Sequence, residues 1–264
     1  MLKLAANLST MFRETPLLER FAAARAAGFR AVELQFPYDV AANDLGAALR
    51  ANDLRLALLN APAGDLASGE RGLALSDGSR FEDAMQVALE YARATACRQI
   101  HVLIGKAPAP LSGKELNRVA HRLRTAADEF GAHGIGLLLE SLNRHDQPAY
   151  ALPTVASADA LRREVASRHL KLLLDTYHVT REGGDPVATL RQFFPAIGHI
   201  QISRAPDRSE PEAGEVDALA RALDELGYGG FVGCEYNPRH ETLAGLTWAA
   251  RHGIGPTHAM EPCP

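Results

Sequence analysis

The sequence predicts a single (β/α)₈ TIM barrel, because strand-like and helix-like segments alternate from one end of the chain to the other. Eight such units fit within 264 residues, which is the usual size of this fold. Several predicted strands are almost continuous apolar runs, as is typical of parallel strands buried on both faces. Alternation does not by itself establish closure, so a doubly wound open sheet is the alternative.

The predicted strands are short apolar runs that end at turn residues or at polar residues. The third strand, residues 54–60, and the fifth, residues 135–140, are the most apolar of the set. In chain order the eight predicted strands cover residues 2–8, 31–36, 54–60, 99–105, 135–140, 170–175, 197–203 and 231–236.

The predicted helices fill the intervals between the strands and carry apolar residues at helical spacing. The first begins with Thr15 as its cap and Pro16 at its first position, and Gly28 ends it. The clearest apolar stripe lies in the helix over residues 116–130. The others cover residues 41–51, 81–91, 157–166, 185–194, 216–226 and 242–252. We therefore expect one barrel domain over residues 1–252, followed by an irregular tail over residues 253–264.

Composition excludes several other classes of protein. Hydrophobic residues make up 47% of the chain, and the net charge is −4, which argues against a nucleic-acid-binding surface. The sequence has neither a membrane-spanning run nor a signal peptide. Its three cysteines lie far apart, which indicates a reduced, cytoplasmic protein. Barrels of this size often form dimers or tetramers, so a homo-oligomer is left open.

The positions of the polar residues carry the functional prediction. In this fold, active sites lie at the carboxyl ends of the strands, and here the apolar strands repeatedly carry a polar residue at that end. One acidic residue at one strand end is usually a helix cap or a surface group, whereas four polar ends on adjacent strands favour a site. These strand residues are Asn7, Glu33, Gln35, Asn60, Glu140, Asp175, Gln201 and Glu235.

The last four of these residues predict a metal site. Glu140, Asp175, Gln201 and Glu235 come from four consecutive strands and would converge over the barrel mouth. Carboxylates that are brought together in a low dielectric repel one another, and a divalent cation removes that conflict. A set of ligands that are all oxygens favours a hard ion, so we expect Mg²⁺ or Mn²⁺.

Other side chains are weaker candidates for substrate binding, and each also has a structural interpretation. His178 follows Asp175 in the segment DTYH, although a lone histidine is commonly structural. Arg208 could bind a substrate carboxylate by two hydrogen bonds, or it could be a surface arginine. The same two interpretations apply to Lys106, just beyond the fourth strand. The remaining candidates are Asn7 and Glu70. Glu70 lies in the long third loop, and long loops at this face are often active-site lids or else simple insertions.

Several segments together resemble the hydroxypyruvate isomerase family, which belongs to the xylose-isomerase-like barrels. They are AANLSTMF, FAAARAAGFRAVELQFPY, NAPAGDLASGERG, LLLESLN, DTYH, HIQI and GCEY, and the resemblance extends over residues 2–248. It implies the same four metal ligands, with Glu140 and Glu235 as the acid/base pair. In related ketose epimerases, a histidine commonly stands at the position of Gln201.

The loop after the seventh strand departs from the family pattern. It reads PDRSEPEAGE where members of this branch tend to have PxRHEPGTGE, so that Ser209 stands in place of the usual histidine. The PDR portion is more similar to 2-oxo-tetronate isomerases, whereas GERG and ESLN are more similar to hydroxypyruvate isomerases. These differences leave the identity of the substrate open.

The resemblance implies the interconversion of hydroxypyruvate and 2-hydroxy-3-oxopropanoate through a metal-stabilised enediolate. A hydride shift is the chemical alternative. The nearest alternative functions are a 2-oxo-tetronate isomerase and a ketose 3-epimerase, and a metal-dependent DNA-repair endonuclease or a non-catalytic binding protein is more remote. The endonuclease would need a histidine-rich metal cluster and a basic groove, both of which the sequence disfavours.

Overall fold

The computed structural model describes residues 1–107 and 110–255, and its eight strands form a closed barrel in chain order. All neighbouring strands are parallel, and β1 pairs with β8, which confirms the predicted barrel and excludes the open sheet. The strands are β1 (Leu4–Asn7), β2 (Ala31–Leu34), β3 (Arg55–Asn60), β4 (Gln99–His101), β5 (Gly136–Glu140), β6 (Leu170–Asp175), β7 (Ile197–Ile202) and β8 (Val232–Cys234).

The helices surround the barrel and bury their apolar stripes against it. They are α1 (Leu17–Ala26), α2 (Ala42–Ala51), α3 (Arg80–Thr95), α4 (Gly113–Ala132), α5 (Val155–Val165), α6 (Thr176–Arg181), α7 (Pro186–Phe193), α8 (Ala213–Glu225) and α9 (Thr242–Gly245). In α4, the predicted stripe is largely buried, including Val119, Leu123 and Phe130.

Three details of the predicted helices are wrong. Thr15 is not the cap of α1, because Pro16 occupies the N-cap position and no side chain caps that end. The last predicted helix is only one turn of α-helix, and a 3₁₀ helix continues over Leu246–His252. The sequence pattern also missed α6, which begins directly after β6 and is capped by the side chain of Asp175.

Strand β4 is shorter than predicted, and this shortness shapes the barrel mouth. The predicted strand continues to residue 105, but only Gln99–His101 pair as a strand. Beyond it, Ile104 makes an isolated bridge to Gly72 in the loop after β3. This bridge holds the loop after β3 against the carboxyl end of the barrel.

Only the beginning of the predicted tail lies in the described part of the chain. Residues 253–255 follow the last 3₁₀ helix, and the amide of Gly255 donates a hydrogen bond of 2.9 Å to the carbonyl of Ala27. Residues 256–264, which include Cys263, lie outside the described residues. Among the described helices, none combines the length and the apolar character that crossing a membrane requires.

Candidate active site

The barrel brings the four predicted polar residues together at its carboxyl end. Glu140, Asp175 and Gln201 lie in β5, β6 and β7, and Glu235 directly follows β8. All four are buried. Glu140 and Glu235 face a cavity of about 250 Å³, which His178 and Arg208 also line. Further polar side chains in its wall are Gln35, Asn60, Arg71, His101, Asp146 and Gln147.

Arg208 joins two of the carboxylates. Its Nη2 donates hydrogen bonds to Asp175 Oδ2 at 2.8 Å and to Glu235 Oε1 at 2.5 Å. Gln35 donates to the same oxygen of Glu235 at 2.8 Å, and the guanidinium carbon lies 4.8 Å from the ring centroid of Tyr177. The charge of Arg208 is therefore balanced by two carboxylates of the protein.

Burial raises the pKa of all three carboxyl groups in the site. The pKa of Glu235 rises to about 7, because burial and the nearby charge of Asp175 outweigh the opposing effect of Arg208. Burial, with the charges of Glu235 and Asp175, holds the pKa of Glu140 well above its ordinary value. The pKa of Asp175 is also raised, mainly by burial. Gathering these groups without a cation disfavours their ionised forms.

Two buried histidines adjoin Glu140, and the sequence had indicated only one of them. His178 Nδ1 accepts a hydrogen bond of 3.1 Å from the backbone amide of Asn143, so the neutral ring carries its proton on Nε2. That nitrogen lies 3.8 Å from Glu140 Oε1 and 3.8 Å from Asp175 Oδ2. His101 Nε2 lies 3.4 Å from Glu140 Oε2. Burial lowers the pKa of His101 to about 3 and that of His178 well below its ordinary value, so both rings are neutral.

The donor set fits a metal ion. Glu140, Asp175 and His178 each bring one ligand atom to within 4.8 Å of the others. The protonated Nε2 makes His178 a hydrogen-bond donor, so the carboxylates are the better ligands. Among the described residues, the buried Glu140 Oε1 and Gln201 Oε1 have no hydrogen-bond partner. Unpaired buried oxygens are costly, and a hard cation would satisfy both.

A second polar cluster, deeper in the barrel, fixes the orientation of Gln201. Glu33 is fully buried and accepts a hydrogen bond of 2.8 Å from Gln201 Nε2. It also contacts His199 Nε2 at 2.5 Å and accepts a bond of 3.2 Å from Asn7 Nδ2. Since Nε2 is held by Glu33, Oε1 is the end of the Gln201 amide that is free for a ligand. Asn7 belongs to this cluster and not to the cavity wall.

Two predicted substrate-binding residues lie away from the cavity. Glu70 accepts two hydrogen bonds from Arg80, of 2.8 and 2.7 Å, and does not line the cavity wall. Lys106 is exposed and forms an isolated bridge with Tyr150. Arg71, the neighbour of Glu70, lines the cavity instead. The sequence placed the correct loop near the site, but it did not indicate which side of that loop faces inward.

The fold and the carboxylate-rich mouth define a class of barrel, and comparison with known proteins agrees. Residues 21–252 match the model of the family described as xylose isomerase-like TIM barrel, and the chain belongs to this family. A solved structure described as an AP endonuclease, family 2, from Brucella melitensis has a TM-score of 0.91 and 40% identity. That match covers 96% of this chain and 99% of that one.

Curated relatives narrow the class to isomerases. The chain is 44% identical to a 2-oxo-tetronate isomerase from Cupriavidus necator, over 93% of this chain and 96% of the relative. It is 40% identical to a hydroxypyruvate isomerase from Escherichia coli, over 94% of this chain and 98% of the relative. These similarities confirm the predicted resemblance, and the chain is an enzyme of the isomerase class, of the ketol isomerase type.

Proposed function

We propose that this enzyme interconverts hydroxypyruvate and 2-hydroxy-3-oxopropanoate through an enediolate. The observation that carries the proposal is that Glu140 and Glu235, both buried, face one small cavity beside Arg208. A volume of about 250 Å³ suits an acid of three or four carbons. Glu140 ends β5 and Glu235 directly follows β8, so the two carboxyl groups come from different parts of the barrel mouth and can serve two adjacent carbons of one substrate.

In this mechanism one glutamate removes the proton from the hydroxyl-bearing carbon, and the other delivers a proton to the neighbouring carbon. His178 and Arg208 donate hydrogen bonds to substrate oxygens, since His178 Nε2 carries a proton and Arg208 lines the cavity.

We assign the divalent cation, Mg²⁺ or Mn²⁺, to Glu140, Asp175, Gln201 and Glu235. When bound, it would supply positive charge close to the negative charge that develops on the substrate oxygens. The unpaired oxygens of Glu140 and Gln201 support this assignment. We also assign the enzyme to the cytoplasm, because Cys97 and Cys234 are free thiols.

The decisive experiment compares hydroxypyruvate with 2-oxo-tetronate after chelation, with and without added Mn²⁺. We expect turnover of hydroxypyruvate that needs Mn²⁺ and falls by about 100-fold or more in both Glu140→Gln and Glu235→Gln. In D₂O at low conversion, proton transfer through an enediolate places solvent deuterium in the product, whereas a hydride shift does not. If neither hydroxypyruvate nor 2-oxo-tetronate is turned over, the proposed reaction is excluded.

A 2-oxo-tetronate isomerase is the second candidate function. The relative from Cupriavidus necator favours it, because its 44% identity exceeds the 40% of the hydroxypyruvate isomerase from Escherichia coli. A value of kcat/KM that is at least 10-fold higher for the four-carbon acid would select this alternative. The same variants should inactivate both reactions, since both use the same acid/base pair.

The description of the Brucella melitensis structure makes endonuclease activity worth a direct test. Within residues 1–107 and 110–255, a single group of side chains can hold a metal ion, and it contains one histidine. The chain carries a net charge of −4, which opposes binding to DNA. We expect no cleavage of a duplex that contains an abasic site, with Mn²⁺ or Zn²⁺ present.

A further inference from the structure

We propose that Arg71 binds the carboxylate of the substrate and thereby restricts the enzyme to acids; this inference builds on the proposed isomerase function. The sequence had suggested Arg208, Lys106 and Glu70 for contacts with the substrate. In the structure Arg208 is bonded to two carboxylates, and Lys106 and Glu70 lie away from the cavity wall. Arg71 lines that wall from the loop between β3 and α3.

The charge of Arg71 is free to pair with an anion. Its Nη1 donates to two backbone carbonyl oxygens, those of Leu66 at 3.1 Å and Glu70 at 2.7 Å. Among the described residues, no carboxylate forms an ion pair with Arg71, and its Nε and Nη2 have no hydrogen-bond acceptor. Two free donors on one planar guanidinium match the two oxygens of a carboxylate.

The loop holds Arg71 toward the cavity by fixing the residues on either side of it. On one side, Glu70 accepts both hydrogen bonds from Arg80 and a third, of 2.7 Å, from the amide of Asp65. On the other side, the amide of Gly72 donates 2.9 Å to the carbonyl of Ala63.

Gly72 itself has no room for a side chain. Its φ is +117°, and a Cβ there would lie 2.2 Å from the carbonyl oxygen of Leu103. The backbone can approach the segment after β4 this closely only because this residue is a glycine. The backbone on both sides of Arg71 is therefore fixed, which reduces the conformational entropy lost when a substrate binds.

Arg71 also separates acids from neutral sugars. A hydroxy-keto acid and a ketose present the same hydroxyl and carbonyl groups to Glu140 and Glu235. Only the acid adds a negative charge. Two arginines line the cavity, and Arg208 is paired with Asp175 and Glu235, whereas Arg71 has no carboxylate partner within the described chain. We therefore expect the loop after β3 to set the substrate class, while the strand ends perform the chemistry.

The test measures binding and turnover separately in Arg71→Ala and Arg71→Lys. As a control, Arg93→Ala removes an exposed arginine from the last turn of α3, far along the helix from the loop. With hydroxypyruvate, we expect KM to rise about 10- to 100-fold in Arg71→Ala with a smaller change in kcat, and Arg71→Lys to recover part of the loss. Arg93→Ala should match the wild type.

A binding measurement distinguishes failure of this inference from failure of the proposed reaction. Calorimetry with D-glycerate, which cannot isomerise, compares an acid with the neutral probe glycerol on Mn²⁺-loaded protein. We expect the wild type to prefer glycerate, and Arg71→Ala to lose that preference while retaining the wild-type circular dichroism spectrum. The role of Arg71 is overturned if the wild type and Arg71→Ala bind glycerate with equal affinity, or if the wild type does not prefer glycerate to glycerol. Either result is independent of whether hydroxypyruvate is turned over.

Discussion

Substituting Gly233 by alanine should disrupt the polar cluster around Glu33 and cost much of the protein's stability. A Cβ at this position would lie 2.0 Å from Glu33 Oε1 and 2.4 Å from its Cδ, which no real structure tolerates. The carboxylate must then move away from Gln201 and His199, its partners at 2.8 and 2.5 Å. The barrel interior offers Glu33 no solvent to replace them.

The magnitude follows from two contributions. Overpacking a core typically costs about 1–3 kcal/mol, and losing one hydrogen bond to a charged group costs about 1.5–3 kcal/mol. We therefore expect Gly233→Ala to lower the free energy of unfolding by about 3–5 kcal/mol. At this chain length that corresponds to a fall in Tm of about 6–10 °C. Gly229→Ala is the matched control, because a Cβ at Gly229 would contact nothing within 4 Å.

A double-mutant cycle with Glu33→Ala identifies the cause. If the clash with Glu33 is responsible, Gly233→Ala should cost little once that side chain has been removed, so the two substitutions will not be additive. Urea unfolding of the wild type, both single variants and the double variant gives the coupling free energy. The reasoning fails if Gly233→Ala is equally destabilising in both backgrounds, or if it leaves the wild-type stability unchanged.

Two further measurements check the electrostatics of the interior. Since the pKa of Glu235 rises from 4.5 to about 7 on folding, the folded state of the chelated protein keeps a proton between these values, and stability is lost as pH rises through 7. Urea unfolding with a chelator present gives the free energy of unfolding of the wild type and of Glu235→Gln. Between pH 4 and pH 8 the wild type should lose about 3 kcal/mol more of this free energy than the variant loses. If the two proteins differ by the same amount at both pH values, the raised pKa is contradicted. Burial raises the pKa of the Cys97 thiol to about 12 and that of Cys234 well above its ordinary value. Neither thiol should therefore react with iodoacetamide at pH 8 in the native protein, whereas both should react in denaturant. Peptide mass spectrometry measures the modification at each cysteine.

Much of the fold could be predicted because parallel strands buried on both faces leave a plain apolar signal. Strand β6 was predicted with its observed bounds, and every other strand was found within a few residues. The errors lie where local pattern and tertiary pairing diverge. Residues 102–104 are apolar because they are buried next to the loop that carries Gly72, and not because they continue a strand. Helix α6 was missed because six residues are too short for a periodic signal.

The acidic residues of the site could be predicted because position along a strand determines position in a barrel. Glu140, Asp175 and Gln201 end or nearly end their strands, so their convergence follows from closure alone. His101 ends β4 in the structure, but the predicted strand continued to residue 105, so the sequence pattern placed this histidine inside the strand and not at the barrel mouth. His199 and Gln201 are two residues apart and therefore share a face of β7, which could have indicated the partnership with Glu33.

The loop residues could not be assigned in the same way, because a loop has no period that relates sequence to direction. Glu70 and Arg71 are adjacent, and the sequence offers no reason to turn one inward and the other outward. The direction is decided by Arg80, at the start of α3, whose two hydrogen bonds hold Glu70 away from the cavity wall. Such a contact between separate elements becomes visible only when the helix and the loop are placed together.

The balance of charge explains why one arginine cannot perform both tasks in this site. Arg208 already offsets Asp175 and Glu235, yet burial still raises the pKa of both groups, so the mouth has too little positive charge even before a substrate enters. If Arg208 were the only cation that faced an acidic substrate, that substrate would add a negative charge to a group of buried carboxylates that already lacks enough positive charge. A cation among the carboxylates and a second guanidinium across the cavity resolve that conflict separately. The first permits the carboxylates to ionise, and Arg71 gives the substrate's own charge a partner that does not compete with them.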